Sequence, residues 1–366
     1  TIACVAAHDY IEAAAFVVRA AGMQGIARRA AALEAEAVGE TPATIPWRGG
    51  TLRGRTYEPA DVSGRAILLV PGVHAGGIDE PRLITFAREI AAAGHPVITA
   101  ELPDLVNYEI TPRSTDMIED AGDWVGRQWS GRQPHADRAV GLMGISFAGG
   151  LSVVAASRMT GRAAWVLSFG GHGDLPRTLR YLCTGDLPDG KGRPPHDYGV
   201  AIILLSVADR LVPAGQVAAL REGIRMFLNA SHLDMVDKPK AALEFARARA
   251  AAEQLPEPAR TYLRWVNSRN IAELGPALLP HVTAMGAEPA LSPERNPPPQ
   301  VPVYLLHGAD DNVVPPEESE RLAAFLRDRG VSVLHLSTPL ITHAEVDRPP
   351  AVVEIWRLVR FWAAPL

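Results

Sequence analysis

The chain has 366 residues, of which 47% are hydrophobic and 21% are charged. This balance is typical of a globular protein and excludes the fibrous and disordered classes. The length allows one large domain or two ordinary ones. The net charge is only -5, and the basic residues are scattered among acidic ones. Nucleic acid is therefore excluded as an expected partner, because binding to a phosphate backbone needs a concentrated positive field.

Three features bear on the cellular compartment without deciding it. Only Cys4 and Cys183 are present, so any disulfide would be a single one, and whether the two pair stays open. No apolar run reaches the roughly 18 residues of a membrane-spanning helix. The chain begins at Thr1, which is compatible with removal of a signal peptide or an anchor. We expect a soluble protein, cytoplasmic or exported, of unknown oligomeric state.

The first half of the sequence predicts a helical lead-in followed by alternating strands and helices. Residues 9–37 are rich in alanine, with apolar residues near helical spacing, and residues 44–55 look like a hairpin. Strands are then predicted at 66–70, 96–100, 139–143 and 164–169, with helices at 83–93, 114–129 and 151–159. Continuous apolar strands separated by amphipathic helices imply a mostly parallel sheet with helices on both faces.

The alternation stops after residue 169 and resumes with a strand at 303–306. It is completed by a helix at 317–329, a strand at 331–336 and a helix at 352–362. The intervening sequence is mainly helical, with helices predicted at 217–229, 239–254 and 258–267. Three consecutive prolines at 297–299 mark the extended return to the sheet. The predicted division is an N-terminal helical segment (1–43), an α/β body (44–171 and 300–366) and a helical cap or lid (172–299).

The clearest catalytic motif reads G-I-S-F-A-G-G over residues 144–150, where an apolar strand turns into a helix. Gly144 and Ala148 flank Ser146 at two residues' distance, and small neighbours allow the strained turn that lifts a serine hydroxyl above a sheet. This motif resembles the nucleophile elbow of the α/β-hydrolase family of esterases and lipases, although Ala148 replaces the last glycine of G-x-S-x-G. The resemblance implies an α/β-hydrolase fold with Ser146 as nucleophile.

A second matching segment reads P-G-V-H-A-G-G over residues 71–77 and leaves the strand at 66–70. We call it the oxyanion loop, since the corresponding loop in this family donates one backbone N–H to the oxyanion hole. The resemblance implies Val73 as that donor, with His74 as the alternative, and Phe147 as the second donor. Such donors stabilise the tetrahedral intermediate by roughly 3 kcal/mol each.

Two further segments supply the remaining triad members. Residues 307–315 read H-G-A-D-D-N-V-V-P and resemble the acid turn of the family, which implies Asp311 as the orienting acid. Asp310 is its nearest competitor, and we interpret His307 as structural. His343 follows the last strand, where the family places its general base. The order Ser146, Asp311, His343 is the α/β-hydrolase order, and Asp311 would fix the tautomer of the imidazole.

A second D-x-x-V-P spacing begins at Asp209 and offers an alternative acid. If residues 202–205 were a core strand, Asp209 could take that role. We favour a helix instead, because apolar residues at 200, 204 and 208 have helical spacing and a pair of prolines followed by Asp197 precedes them. Asp209 is then a residue at a helix end within the cap.

Weaker patterns carry no predicted function. His172 and Asp174 follow a strand end and could face the cleft, but a glycine-rich loop with polar residues is usually only a turn. Residues 196–198 suggest a metal ligand set, which we reject because no partner cluster with zinc or calcium spacing accompanies them. The two glycines at 76–77 lack the lysine and hydroxyl of a nucleotide loop. No cofactor or metal is expected.

The sequence thus predicts a serine carboxylesterase that acts on a small-molecule ester through an acyl-enzyme on Ser146. A serine at the elbow disfavours relatives with an aspartate nucleophile, such as haloalkane dehalogenases and epoxide hydrolases. A lipase, thioesterase, lactonase, peptidase or acyltransferase could use the same triad, because the cap fixes substrate choice. A non-catalytic ligand receptor on the same fold is the alternative from a different class.

Overall fold

The computed structural model describes residues 2–132, 137–187, 190, 192–341 and 352–366, with the side chains of residues 2–8 left out. Eight strands form one sheet: β1 (Val38–Trp47), β2 (Gly50–Pro59), β3 (Ile67–Val70), β4 (Val97–Ala100), β5 (Val140–Ile145), β6 (Ala163–Phe169), β7 (Val303–Gly308) and β8 (Val333–Thr338). Their order is β1-β2-β4-β3-β5-β6-β7-β8. The β1/β2 and β2/β4 pairs are antiparallel. The pairs β4/β3, β3/β5, β5/β6, β6/β7 and β7/β8 are parallel. The predicted mostly parallel sheet is confirmed.

Fifteen α-helices lie within the described residues. They are α1 (Ile2–Ala20), α2 (Ile26–Ala31), α3 (Pro81–Ala91), α4 (Pro103–Val106), α5 (Pro112–Gln128), α6 (Phe147–Arg158), α7 (Leu175–Thr184), α8 (Asp197–Leu211), α9 (Ala214–Val236), α10 (Lys238–Gln254), α11 (Ala259–Asn267), α12 (Ile271–Leu278), α13 (Val282–Met285), α14 (Glu317–Arg327) and α15 (Val352–Trp362). None of them combines the length and apolar character needed to cross a membrane.

The sheet is covered on both faces, as the alternation in β3 shows. Leu68 and Val70 belong to one apolar cluster together with side chains of α5 and α6. Ile67 and Leu69 belong to a second cluster together with side chains of α1, α3 and α15. Successive side chains of a strand point to opposite faces, so each cluster lies on its own side of the sheet. All four β3 residues are fully buried, which explains why this strand is a continuous apolar run.

The segment between β6 and β7, residues 170–302, is called the insertion below, and it carries α7 to α13. Its buried side chains, such as Leu204 of α8, Phe227 of α9 and Leu263 of α11, lie in the same apolar cluster as the sheet face that packs on α5 and α6. The insertion and this face of the sheet therefore share one core. Cys183 of α7 is a buried free thiol, and burial raises its pKa to about 12.

Candidate active site

Ser146 occupies a strained turn between β5 and α6. Its φ of 55° and ψ of -133° lie outside the regions that L-residues favour. The Ser146 N–H donates to the carbonyl of Phe169 at the end of β6, at 2.7 Å, which ties the turn to the neighbouring strand. The residue is 7% exposed. A serine held at positive φ where a strand turns into a helix has the geometry of a nucleophile elbow.

The small residues around Ser146 are required by close backbone approaches. A Cβ at Gly144 would overlap the carbonyl of Ala148, and a Cβ at Gly149 would overlap the Ser168 hydroxyl. Ala148 itself is fully buried, and its methyl group is accommodated there. The alanine at the last position of the motif is therefore compatible with the turn.

The oxyanion loop lies directly against the serine. A Cβ built on Gly72 would be 3.0 Å from the Ser146 Cβ and 3.7 Å from its Oγ, so any larger residue at position 72 would crowd the nucleophile. Phe147 is the first residue of α6, where backbone N–H groups have no acceptor within the helix. The carbonyl of Val73 accepts a hydrogen bond from the hydroxyl of Tyr198, on α8, at 2.7 Å.

His74 is turned toward its own loop and toward the insertion. Its Nδ1 accepts the Gly76 N–H at 3.1 Å, which places the proton of the neutral ring on Nε2. The ring packs edge-on against His232 of α9, with centroids 4.2 Å apart. Neither the His74 Nε2 nor the His232 Nδ1 has a hydrogen-bond partner within the described part of the chain, and both atoms are buried. Burial, followed by the proximity of His232, lowers the pKa of His74 to about 4.

The depressed pKa of His74 predicts a loss of stability in mild acid. An unfolded histidine titrates near 6.5, so between pH 6.5 and about 4 the unfolded chain binds a proton that folded His74 does not. The free energy of unfolding should fall as the pH falls through this window, by up to about 3 kcal/mol. His335, whose pKa is also lowered to about 4, adds to the slope. Urea denaturation at several pH values measures this loss.

His74→Asn isolates the contribution of His74, since the asparagine oxygen can accept the Gly76 N–H in place of Nδ1. We expect a visibly shallower loss of stability between pH 6.5 and 4 in this variant than in the parent protein. An unchanged slope would show that folded His74 titrates normally.

Asp311 is held rigidly in the acid turn, residues 307–315. Its Oδ1 accepts the N–H groups of Val313 and Val314 at 2.8 and 3.0 Å, and the residue is only 1% exposed. The Nε2 of His307 lies 2.8 Å from the Val314 carbonyl and 3.5 Å from the Asp311 Oδ2. His307 thus joins the start of the turn to Val314 near its end, in agreement with the structural interpretation. Asp310 is exposed, so Asp311 is the carboxylate that the turn encloses.

The turn at the end of β6 connects Asp311 to the serine. Gly170 follows Phe169, whose carbonyl binds the Ser146 N–H, and its own N–H donates to Leu306 of β7 at 2.8 Å. Gly170 has a φ of 64°, and a Cβ placed on it would lie 3.6 Å from the Asp311 Oδ2. The Oδ2 oxygen of Asp311 therefore lies beside the turn that follows β6, the strand next to β5. His343, the predicted base, lies outside the described residues.

Asp209 lies in another part of the molecule. Residues 202–205 are helical, as predicted, and Asp209 is in the last turn of α8. Its exposed carboxylate binds Arg221 of α9 at 2.8 Å. This position fits a surface ion pair between two helices of the insertion.

The weaker candidate residues hold the surrounding backbone or cap helices. His172 is fully buried, and its Nε2 lies 2.8 Å from the Leu291 carbonyl. Asp174 caps α7 by accepting the Arg177 N–H. His196 caps α8 by accepting the Tyr198 N–H. In the described part of the chain no group of three or more histidine, cysteine or acidic side chains is arranged to hold a metal ion.

Two residues lie beside the site although no sequence pattern predicts them there. Tyr198 binds the oxyanion loop, and Arg193, just ahead of α8, donates to the carbonyl of Asp311 at 2.9 Å. The sequence of residues 196–198 indicates only a helix start at Asp197 and a rejected metal ligand set, because a tyrosine near a helix start carries no signal for a contact with a loop far away in the chain.

Comparison with known proteins shows likeness at the level of structure. No protein-family model matches the chain, and no curated protein matches it. Two solved structures of the hyperthermophilic esterase from the archaeon Pyrobaculum calidifontis superimpose with a TM-score of 0.52, at 17% and 16% identity. They cover 98% and 97% of this chain and 90% and 87% of the esterase.

Brefeldin A esterase, described as a bacterial homologue of human hormone sensitive lipase, aligns with a TM-score of 0.47 at 14% identity, over 90% of this chain and 73% of its own. At identities of 17% or less, structural similarity shows a shared fold and does not show a shared function.

Proposed function

Because the chain has the α/β-hydrolase fold, we propose that it is a serine carboxylesterase with Ser146 as nucleophile, Asp311 as orienting acid and His343 as general base. The observation that carries the proposal is the Ser146 elbow at φ 55°, with Gly72 of the oxyanion loop beside it. Holding a serine in a strained conformation, so close to the loop that a Cβ added to Gly72 would lie 3.0 Å from the Ser146 Cβ, costs stability that an ordinary turn would not need.

The proposed mechanism assigns one task to each group. His343 removes the Ser146 proton as the hydroxyl attacks the ester carbonyl, and the N–H groups of Val73 and Phe147 bind the oxyanion. His343 then protonates the leaving alcohol, and water repeats the sequence on the acyl-enzyme. Asp311 has one oxygen engaged by Val313 and Val314, so its other oxygen is the one assigned to the imidazole N–H. His74 is the alternative oxyanion donor, and its N–H belongs to the peptide whose carbonyl Tyr198 binds.

The proposal is tested by trapping the acyl-enzyme. The protein is treated with a fluorophosphonate, which phosphonylates activated serines, and the adduct is located by tandem mass spectrometry. Stopped-flow hydrolysis of p-nitrophenyl esters of increasing acyl length is run in parallel. We expect one adduct, on Ser146, and a burst of p-nitrophenol equal to the enzyme concentration.

The outcome also separates the related activities. A preference for short acyl chains supports a carboxylesterase, whereas a sharp rise in rate above the solubility limit of long-chain esters indicates a lipase. Absence of turnover and of any adduct on Ser146 would contradict the proposal and favour a non-catalytic ligand receptor.

A further inference from the structure

A short stretch of the insertion binds both loops of the candidate active site. It comprises residues 192–198, and we call it the strap. The Tyr198 hydroxyl donates to Val73 of the oxyanion loop at 2.7 Å. The His196 N–H donates to the Asn312 carbonyl at 2.8 Å, and the Arg193 guanidinium donates to the Asp311 carbonyl at 2.9 Å. One segment thus connects two loops that lie more than 200 residues apart in the chain.

The contact with the oxyanion loop is made by a firmly held tyrosine. The Tyr198 ring packs edge-on against Tyr108, with centroids 6.0 Å apart, and Tyr108 is 4% exposed. Burial raises the pKa of Tyr198 well above its usual range, so the hydroxyl keeps its proton and donates. The Val73 carbonyl that accepts this hydrogen bond lies in the same planar peptide unit as the His74 N–H, and it is separated from the Val73 N–H only by the φ and ψ angles of Val73. Fixing this carbonyl limits rotation of the loop backbone around Val73, and with it the directions of both candidate oxyanion N–H groups.

The contact with the acid turn holds the backbone of the acid itself. Nη1 of Arg193 donates to the carbonyls of Asp311 and Ala309, at 2.9 and 3.3 Å. The Asp311 carboxylate is fixed from the other side by Val313 and Val314. Because both the main chain and the side chain of Asp311 are engaged, its second carboxylate oxygen, Oδ2, is held in one direction. Arg193 therefore acts on the orientation of the acid without touching the substrate.

We propose that the strap sets the relative position of the oxyanion loop and the acid turn, with Tyr198 and Arg193 as positioning residues for the chemical step. The inference rests on the proposed esterase function. It assigns the insertion a role in the rate of acyl transfer, separate from the choice of substrate. Its physical basis is that a displacement of about 1 Å in a catalytic group can lower the rate by about 10²-fold.

Tyr198→Phe removes one oxygen and leaves the ring packing in place. With a p-nitrophenyl ester as substrate, we expect kcat to fall about 10-fold and KM to change less than about 2-fold. The reason is that a misoriented oxyanion N–H group binds the transition state less tightly. The matched control is Tyr304→Phe. The Tyr304 hydroxyl also donates to a backbone carbonyl, that of Ala364, at 3.3 Å, but it lies against α15 on the other face of the sheet. The kcat of Tyr304→Phe should stay within about 2-fold of that of the parent protein.

Arg193→Met should likewise lower kcat about 10-fold, and Arg193→Lys should recover part of the loss, since an ammonium group can still donate to one of the two carbonyls. The matched control is Arg221→Met. Arg221 also donates to a backbone carbonyl, that of Leu205, at 3.0 Å, and it pairs with Asp209 at the far end of α8. This control should change kcat less than about 2-fold, even if it lowers the melting temperature.

Amide hydrogen exchange gives a readout that does not depend on activity. Tyr198→Phe should speed exchange in residues 71–77, and Arg193→Met in residues 307–315, with melting temperatures showing that the variants are folded. Unchanged exchange in both loops, or an unchanged kcat in both variants, would overturn the inference. A wild-type protein that hydrolyses no ester would contradict the proposed function, and the exchange data would then decide the role of the strap alone.

Discussion

Ser146→Ala is expected to reduce kcat for p-nitrophenyl esters by roughly 10⁵- to 10⁶-fold, since loss of the nucleophile removes the acyl-enzyme route altogether. The methyl group of alanine fits wherever the serine side chain fits, and the strained backbone remains, so the fold should be retained. Steady-state hydrolysis measures the loss, and the fluorophosphonate adduct should vanish together with the burst.

A matched control comes from the same helix. Ser157 of α6 donates its hydroxyl to the Val154 carbonyl at 2.7 Å, and its replacement by alanine should leave kcat within about 2-fold. Contaminating hydrolases would show as equal residual activity in every preparation. Full activity in purified Ser146→Ala would mean that another residue attacks the ester.

Asp311→Asn is expected to lower kcat by about 10³- to 10⁴-fold with little loss of stability. The asparagine oxygen can take the position of Oδ1 and keep the bonds to Val313 and Val314. Its amide nitrogen then occupies the position of Oδ2, where it donates a hydrogen bond instead of accepting one. The imidazole of His343 would be held in the wrong tautomer. Kinetics combined with urea denaturation separates this electrostatic loss from unfolding.

Asp209→Asn is the control that distinguishes the two possible acids. The exposed pair of Asp209 with Arg221 contributes at most about 1 kcal/mol, so its removal should leave kcat within about 2-fold. The reverse pattern, with an inactive Asp209→Asn and an active Asp311→Asn, would contradict the triad proposed above.

The fold was predictable where apolar periodicity is strong. The helix at 352–362 matches α15, and the helix favoured around residues 202–205 is α8. The predicted hairpin at 44–55 begins too late in the chain, since β1 of the structure already starts at Val38. Residues 39–42 are exposed and include a glycine and a proline, so no apolar alternation marks this part of the strand. The division into segment, body and cap stays a prediction.

The elbow and the acid turn could be located from the sequence because their geometry is local. Gly144, Ser146 and Ala148 constrain one turn, and the Asp311 carboxylate bonds to residues two and three positions later. The strap could not be found in this way. Its bonds join residues 125 and 118 positions apart, and neither a tyrosine nor an arginine in a loop specifies such a partner.

The apolar core that runs from the sheet into the insertion limits how this protein could be re-engineered. A cap that only rests on its body can be exchanged between relatives as a module, but here Leu204, Phe227 and Leu263 complete the core of the body itself. Deleting the insertion would expose a face of the sheet to water, so the truncated protein should aggregate. Experiments that aim to change substrate range should therefore substitute individual side chains within a retained insertion instead of exchanging whole helices.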